Sequence, residues 1–357
     1  MATVSILIPT YQERDYIEEC LASVRAFAKP DDVHVEVLVI DGMSTDGTRE
    51  IVARINESGS GVRLIDNPQR FQSQALNIGI RASRSDFILR LDAHSLYPRD
   101  YLERCLETAT RVESDNTGGV VNTMRRGEHY QAGLVQALIT HKFGVGNSGF
   151  RTDAAEGPAD TVPYGFFRRS IFDRVGMFDE RLVRAQDYEM NRRIIAAGGK
   201  VWRNPKIQIS YFPQPDFVSF IRKQFVYEAP FNAYMWYLAP YSFAARHAIT
   251  AVFSLGVIGG IFLSPFSGLV RTVFGGVMLL YAVLAIFSAI SQGIRYRDAR
   301  HVVFLPFAFF SYHFLHGLGV LGGLLRLATG TAPVQRDPEP WPGAGRLRAW
   351  PSENIAG

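Results

Sequence analysis

The chain has 357 residues, 47% of them hydrophobic, with 38 Lys+Arg against 34 Asp+Glu, too long for one ordinary domain and long enough for a large core plus an appendage. Charge is unevenly divided: residues 1–230 hold 29 basic and 30 acidic side chains, whereas residues 231–357 hold 9 and 4, every basic one an Arg. An N-terminal region without net positive charge argues against a nucleic-acid partner.

The chain opens on a short apolar run, Val4–Ile8. No charged segment precedes a long apolar one, so no cleavable signal peptide is expected, and the bulk of the chain is expected in the cytosol. Three β-branched runs follow: His34–Ile40, Val62–Ile65 and Phe87–Leu91. Helical patterns cover Asp15–Phe27, Asp46–Asn56, Phe71–Ala82 and Arg99–Arg111. Ser44 or Asp46 can cap the second helix, and Pro98 precedes the fourth. Strands alternating with such helices predict right-handed βαβ units and a mostly parallel sheet, with ligands beyond the carboxyl ends of the strands. Chemistry is therefore expected after Ile8, Ile40 and Leu91. Cys20 and Cys105 fall in helical patterns without ligand-like spacing and read as buried small hydrophobes.

From about 117 to 215 the pattern loosens. Gly144–Arg151 reads as a Gly-rich loop and Asp187–Ala197 as a helix ended by Gly198-Gly199. The chain then divides into an α/β region over 1–215, amphipathic and aromatic interfacial helices over 216–243, about three transmembrane helices over 244–326, and a Pro/Gly-rich tail over 327–357 expected to be disordered. The apolar segments are Ala244–Pro265, Thr272–Ser291 and Val302–Leu325, with Arg295, Arg297 and Arg300 between the last two. The positive-inside rule puts that loop and the α/β region in the cytosol, and three spans put the tail outside. His313 and His316 in the third segment either mark a polar path or, as expected, pack against neighbouring helices or the preceding domain.

Three strand ends carry polar runs: Pro9-Thr10-Tyr11-Gln12-Glu13, then Asp41-Gly42-Met43-Ser44-Thr45-Asp46-Gly47-Thr48, then Asp92-Ala93-His94. A nucleotide needs an aromatic ring for its base and a carboxylate for a ring or ribose donor, which Tyr11 and Asp41 can supply. Asp92 and His94 have the spacing to hold one Mg²⁺ or Mn²⁺ bridging a diphosphate, and the imidazole tilts the choice toward Mn²⁺. No G-x-G-x-x-G follows Ile8, which disfavours a dinucleotide dehydrogenase.

The runs VSILIPTYQERDYIEECLASV, VLVIDGMSTDGTREIV and NPQRFQSQALNIGIRASRSDFILRLDAHS, over residues 3–230, resemble family 2 glycosyltransferases. GVGNSGFR, VPYGFFRRSIFDRVGMFDE and DAH resemble the succinoglycan-biosynthesis ExoA-like group of bacterial exopolysaccharide glucosyltransferases within that family. The resemblance implies an α/β GT-A fold, a Rossmann-like mixed sheet followed by interfacial and transmembrane helices. It implies Pro9, Thr10, Tyr11, Glu13, Asp41 and Asp92 at a nucleotide-sugar donor, Asp92 and His94 on the metal, and Asp187 as catalytic base. Gln186 stands where the family usually has Glu, which leaves its role open. Arg70, Asn77 and Arg90 either contact the donor or are structural. Asn147, Ser148 and Arg151 are expected to gate the site or meet an acceptor's phosphate. The implied reaction is inverting transfer of a hexose, glucose from UDP-glucose, onto a polyprenyl-diphosphate-linked sugar at the cytoplasmic face of the cell membrane. Its rivals are transfer onto a polyprenyl phosphate and a non-catalytic membrane scaffold.

Overall fold

A computed structural model of the chain describes residues 2–334 apart from 58, 60, 126, 147, 148 and 152–154. The first half follows the predicted alternation: β1 (Ala2–Thr10), α1 (Ile17–Arg25), β2 (Val33–Asp41), α2 (Thr48–Glu57), β3 (Val62–Asp66), α3 (Gln72–Ala82) and β4 (Phe87–Arg90). β1 pairs in parallel with β2 and with β4, and β2 with β3. From β1 the chain moves outward to β2 and β3, then returns to β4 on the other side of β1. That reversal leaves a crevice at the carboxyl ends of β1 and β4, where an open α/β sheet binds its ligand.

The next elements are β5 (Ser95–Leu96), α4 (Tyr101–Val112), β6 (Asn116–Thr123), α5 (Tyr130–Ile139), α6 (Lys142–Val145), β7 (Gly157–Pro158), β8 (Phe166–Arg168), α7 (Ser170–Val175), α8 (Gln186–Ala196) and β9 (Val201–Tyr211). Here the sheet departs from a simple parallel succession. β8 lies antiparallel between β4 and β6, and β9 pairs in parallel with β6, giving nine strands in a mixed sheet. The GT-A architecture expected from the motifs is thereby met. One face of the sheet packs Ile6, Ile8, Val39 and Leu89 against Cys20 and Leu21 of α1 and Leu102 and Cys105 of α4. The other packs Leu7, Leu38 and Ile88 against Leu76 of α3 and Met190 and Ile194 of α8. Both cysteines are free and buried, as their spacing suggested.

Beyond β9 come α9 (Phe217–Arg222), a π-helical turn at Lys223–Glu228 and α10 (Ala229–Leu238). Three long helices follow, α11 (Ala245–Leu263), α12 (Gly268–Tyr296) and α13 (Arg300–Ala328), each long and apolar enough to cross a membrane. Their junction with the sheet is an extensive apolar contact. Leu134, Val135 and Leu138 of α5 pack with Ala285 and Ala289 of α12 and Leu305 and Phe309 of α13. Gln292 of α12 donates to the Ala137 carbonyl at 2.5 Å, and Tyr296 bonds Thr140 at 2.9 Å. Of the tail, only residues through 334 fall within the described part, and Val334 is buried; the expectation for the remainder lies outside it.

Candidate active site

The loop after β2 closes on itself. The Asp41 carboxylate, wholly buried, accepts from Ser44 N at 2.8 Å, Ser44 Oγ at 2.6 Å and Arg49 Nη1 at 2.9 Å. These bonds tie Asp41, expected at the donor, into the loop, while Asp46 caps α2 through Thr48 N at 3.1 Å. This loop also holds the one after β1: Ser44 Oγ accepts from Gln12 N at 2.9 Å, and Thr48 Oγ1 from Glu13 N at 3.0 Å. Pro9 is half-buried, and the Thr10 hydroxyl turns back onto the Ile8 carbonyl at 3.1 Å. Tyr11 stays 44% exposed, its ring 5.8 Å from the Arg70 guanidinium. A Cβ on Gly42 would stand 3.0 Å from Tyr11 Cδ2 and 3.3 Å from Arg70 Cα, so glycine is what lets the two come together. A flat aromatic face beside a cation suits a nucleotide base and its phosphate.

At the end of β4, buried Arg90 joins two carboxylates. Its Nη2 donates to Asp92 Oδ1 at 2.8 Å and its Nη1 to Asp187 Oδ2 at 2.7 Å, over the ring of Tyr164. Burial opposes the charge on Arg90, but Asp187 and Asp92 more than offset it and hold the guanidinium charged. Gln72 Nε2 donates to the same Asp92 Oδ1 at 3.0 Å, and Gln186 Nε2 donates to Gln72 Oε1 at 2.5 Å. Gln186 therefore reaches Asp92 through Gln72. The two residues that open α8 are thus tied to the end of β4 by separate routes. Gln72 was not singled out from the sequence, where nothing but its place in an amide-rich run marks it.

Asp187 is not a helix cap. Ala185, with φ of 61°, occupies the cap position and makes no side-chain cap bond. Burial raises the Asp187 pKa above the usual carboxylate range; Arg90 counters this and Asp92 adds to it. A third of its side chain remains open to the cavity described below, and Oδ1 has no hydrogen-bond partner among the described residues. Glu189, two positions on, faces the opposite way into a buried pair with Arg193. Asn77 fixes the segment that leads to α8: its amide donates to the Phe178 carbonyl at 2.9 Å and Glu180 Oε1 at 2.8 Å and accepts from Phe178 N at 2.9 Å.

His94 lies beside Asp92, its Nδ1 3.0 Å from Glu13 Oε1. Burial lowers its pKa, but Glu13 and Asp92 outweigh this and the net shift is upward. With Asp92 Oδ1 engaged by Arg90 and Gln72, Oδ2 is available to a cation, as is Nε2 of His94. Among the described residues no cluster of three His, Cys, Asp or Glu can hold an ion. The pair fits a divalent ion whose remaining ligands come from a diphosphate and water.

Asp92, Asp187 and Arg90 open onto a cavity of about 790 Å³ that continues past Phe150, Arg151 and Tyr211 to Phe253, Tyr281 and Tyr312 of the long helices. Two of its cations are neutralised by neighbours, Arg90 as described and Arg246 by Asp160. Arg151 has no acidic partner among the described residues: its guanidinium lies 5.2 Å from the Phe150 ring and 5.4 Å from the Tyr211 ring, and Nη1 is buried with no hydrogen-bond partner among them. His313 and His316 pack within the helices. Tyr281 OH donates to His313 Nδ1 at 2.8 Å, Nε2 donates to the Gly144 carbonyl at 3.1 Å, and His316 Nδ1 bonds Thr250 at 3.0 Å. Asn147 and Ser148 lie outside the described residues.

Residues 5–176 match the family profile described as glycosyl transferase family 2. The chain is 32% identical over 224 residues to succinoglycan biosynthesis protein ExoA of Rhizobium meliloti, covering 62% of this chain and 67% of that protein. It is 26% identical over 339 residues to a dolichyl N-acetyl-alpha-D-glucosaminyl phosphate 3-beta-D-2,3-diacetamido-2,3-dideoxy-beta-D-glucuronosyltransferase of Methanococcus voltae, covering 91% and 98%. Among solved structures, mannosyltransferase PcManGT of Pyrobaculum calidifontis, in complex with GDP-Man and Mn²⁺, shares the fold with a TM-score of 0.58 at 19% identity over 89% of this chain and 86% of that one.

Proposed function

The chain belongs to glycosyltransferase family 2, and from that premise we propose that it transfers a hexose, with inversion, from a UDP-sugar to a hydroxyl of a sugar carried on a polyprenyl diphosphate. Glucose is the sugar the motif resemblance favours. The observation that carries the reading is the Asp187 carboxylate, held by Arg90 on one oxygen and open on the other to a cavity shared with the long apolar helices. A sugar hydroxyl must lose a proton as it attacks, and a carboxylate with a raised pKa is suited to receive it. A lipid phosphate is already anionic at neutral pH, needs no base and would be repelled by Asp187, which disfavours the polyprenyl-phosphate reading. The three long apolar helices support a membrane location, and the Arg295, Arg297 and Arg300 loop supports a cytosolic side for the catalytic domain.

In the transfer, Asp187 Oδ1 accepts the acceptor proton while the hydroxyl oxygen attacks the anomeric carbon and the nucleoside diphosphate departs from the opposite face. Arg90 favours the ionised form of Asp187 against burial and aims its carboxylate. Tyr11 and Arg70 receive the nucleotide. Mn²⁺ or Mg²⁺ held by Asp92 Oδ2 and His94 Nε2 would neutralise the charge of the leaving diphosphate. Arg151, a cavity cation without a counter-ion among the described residues, meets the acceptor's phosphate.

The deciding experiment is donor turnover by the full-length protein in detergent or nanodiscs, with UDP-, GDP- and dTDP-sugars, Mn²⁺, Mg²⁺ or EDTA, and lipid-linked acceptors. Release of UDP from one UDP-sugar, abolished by EDTA and stimulated by a lipid-diphosphate sugar, is expected. Stimulation by polyprenyl phosphate alone would transfer the case to that acceptor, and neither binding nor turnover of any donor would favour the scaffold.

Two substitutions separate the subsites. Asp92→Ala is expected to weaken Mn²⁺-dependent UDP binding by at least about tenfold, the scale of one charged contact, as read by titration calorimetry with and without the ion. Arg151→Gln is expected to raise the acceptor KM by about tenfold for the same reason, with a much smaller effect on donor KM. An equal rise in both would put Arg151 on the donor instead.

A further inference from the structure

Length and composition make α13 a third membrane span, but its contacts give it a different place. Its 29 residues extend ~43 Å, enough to cross a hydrocarbon core of ~30 Å and leave the two ends on opposite sides. Instead, one face of α13 follows the catalytic domain from end to end. At its start the Arg300 guanidinium lies 4.4 Å from the Tyr130 ring and His301 packs at 5.6 Å on the same ring. Tyr130 opens α5, which is bound to the end of β6 by Gln136 donating to the Thr123 carbonyl at 2.6 Å. Midway, Phe309 packs on Phe143 at 5.0 Å and His313 holds the Gly144 carbonyl. Further on, a Cβ at Gly319 would stand 2.6 Å from the Phe225 carbonyl and one at Gly323 2.7 Å from that of Pro230, so the helix lies directly on the π-helical turn and α10. At its end Leu327 and Val334 join the cluster of Leu182 and Tyr234. Leu182 belongs to the segment that leads into α8 and Asp187. A helix standing normal to a bilayer cannot touch one aqueous domain at both ends.

Helices α11 and α12 behave otherwise. They meet the catalytic domain on the half nearest it, α11 at its start through Arg246 on Asp160 and His247 on Tyr188, and α12 along its second half, from Tyr281 on Phe143 to Gln292 and Tyr296 on α5. Away from it they pack on each other, Gly260 directly against Phe274. Their far ends expose Phe262, Phe266 and Leu269 at 69%, 87% and 75%. Arg271 lies just past the tip, and Arg246 and Arg295 lie at the opposite end. Basic residues therefore bracket an apolar hairpin whose 19-residue α11 spans ~28 Å, close to the thickness of the core.

We propose that the chain crosses the bilayer twice, through the α11–α12 hairpin alone, and that α13 lies along the membrane surface beneath the catalytic domain, so that the chain beyond Ala328 stays on the catalytic side. The exposed apolar side of α13, with Val303, Phe304, Phe307 and Leu325, meets lipid, and its opposite side forms part of the floor of the cavity. This placement does not depend on the donor or acceptor and stands or falls separately from them.

The test is sidedness of single cysteines in the full-length protein, labelled in intact cells by a membrane-impermeant maleimide and again after permeabilisation. Cys20 and Cys105 are buried, which keeps the background low. Glu57→Cys reports the catalytic side, Phe266→Cys the hairpin tip and Thr331→Cys the chain after α13; all three positions are exposed. The expected result is that Phe266→Cys labels from one side and Glu57→Cys and Thr331→Cys only from the other. Thr331→Cys labelling together with Phe266→Cys would establish three spans and overturn the proposal. Phe266→Cys labelling together with Glu57→Cys would overturn it as well, since the hairpin would not cross. A C-terminal fusion gives a reading without cysteine substitution: the same-side arrangement predicts a reporter protected with Glu57→Cys, and a reporter exposed on the opposite face contradicts it.

Discussion

Asp187→Asn is expected to lower kcat and kcat/KM for transfer by about 10²–10⁴-fold, the usual contribution of a positioned general base, while leaving UDP-sugar binding within a factor of a few. The amide keeps an oxygen for Arg90, so the junction of β4 and α8 should persist. What it loses is the capacity to take the acceptor proton. Single-turnover transfer alongside direct donor binding separates the two effects, and near-normal transfer by the variant would remove Asp187 from the base role. The wild-type pH profile carries the same signature. Because burial raises the Asp187 pKa, kcat/KM should fall as pH drops through a value above the ordinary carboxylate range, and that acid limb should be absent from the residual activity of the variant.

The second large effect is on stability. Arg193→Met is expected to destabilise the protein by about 3–5 kcal/mol, the cost of leaving a buried charge without its partner. Arg193 and Glu189 are both fully buried one turn apart on α8, and Tyr241 donates to the same carboxylate. Arg193 also donates to the Val175 and Met177 carbonyls at 3.1 and 2.6 Å, which ties α8 to the turn after α7. Against a typical total stability of about 5–15 kcal/mol, the loss should appear as a marked fall in Tm in detergent. It should also appear as lower activity, because α8 carries Asp187 in its first turn. The paired change Arg193→Met with Glu189→Leu removes both charges and should recover a good part of the loss; no recovery would mean the packing of the long side chain matters more than the charge.

Local pattern alone determined a good deal of this protein. The β-branched runs and the helices between them gave the parallel half of the sheet, and its topology marked the ends of β1, β2 and β4 before any side chain was placed. The family and the GT-A fold were implied by the resemblance that the motifs at those ends carry, and the three long apolar segments by composition. These are short-range properties, written in the period and chemistry of neighbouring residues. What depended on tertiary structure is every pairing between distant polar groups. Arg90 meets Asp187 across 97 residues and Gln186 meets Gln72 across 114. No periodicity encodes such contacts, so the partners of Arg90 and Gln186 could be read only in space. Asp41 shows the same dependence: a carboxylate after a strand can reach a ligand or close its own loop, and only the fold shows that Ser44 and Arg49 bond it. The antiparallel insertion of β8 and the burial of α5 among the long helices are equally long-range. So is the course of α13, since an apolar helix satisfies its backbone hydrogen bonds whether it crosses a bilayer or lies along one. Only its contacts with the catalytic domain at both ends distinguish the two.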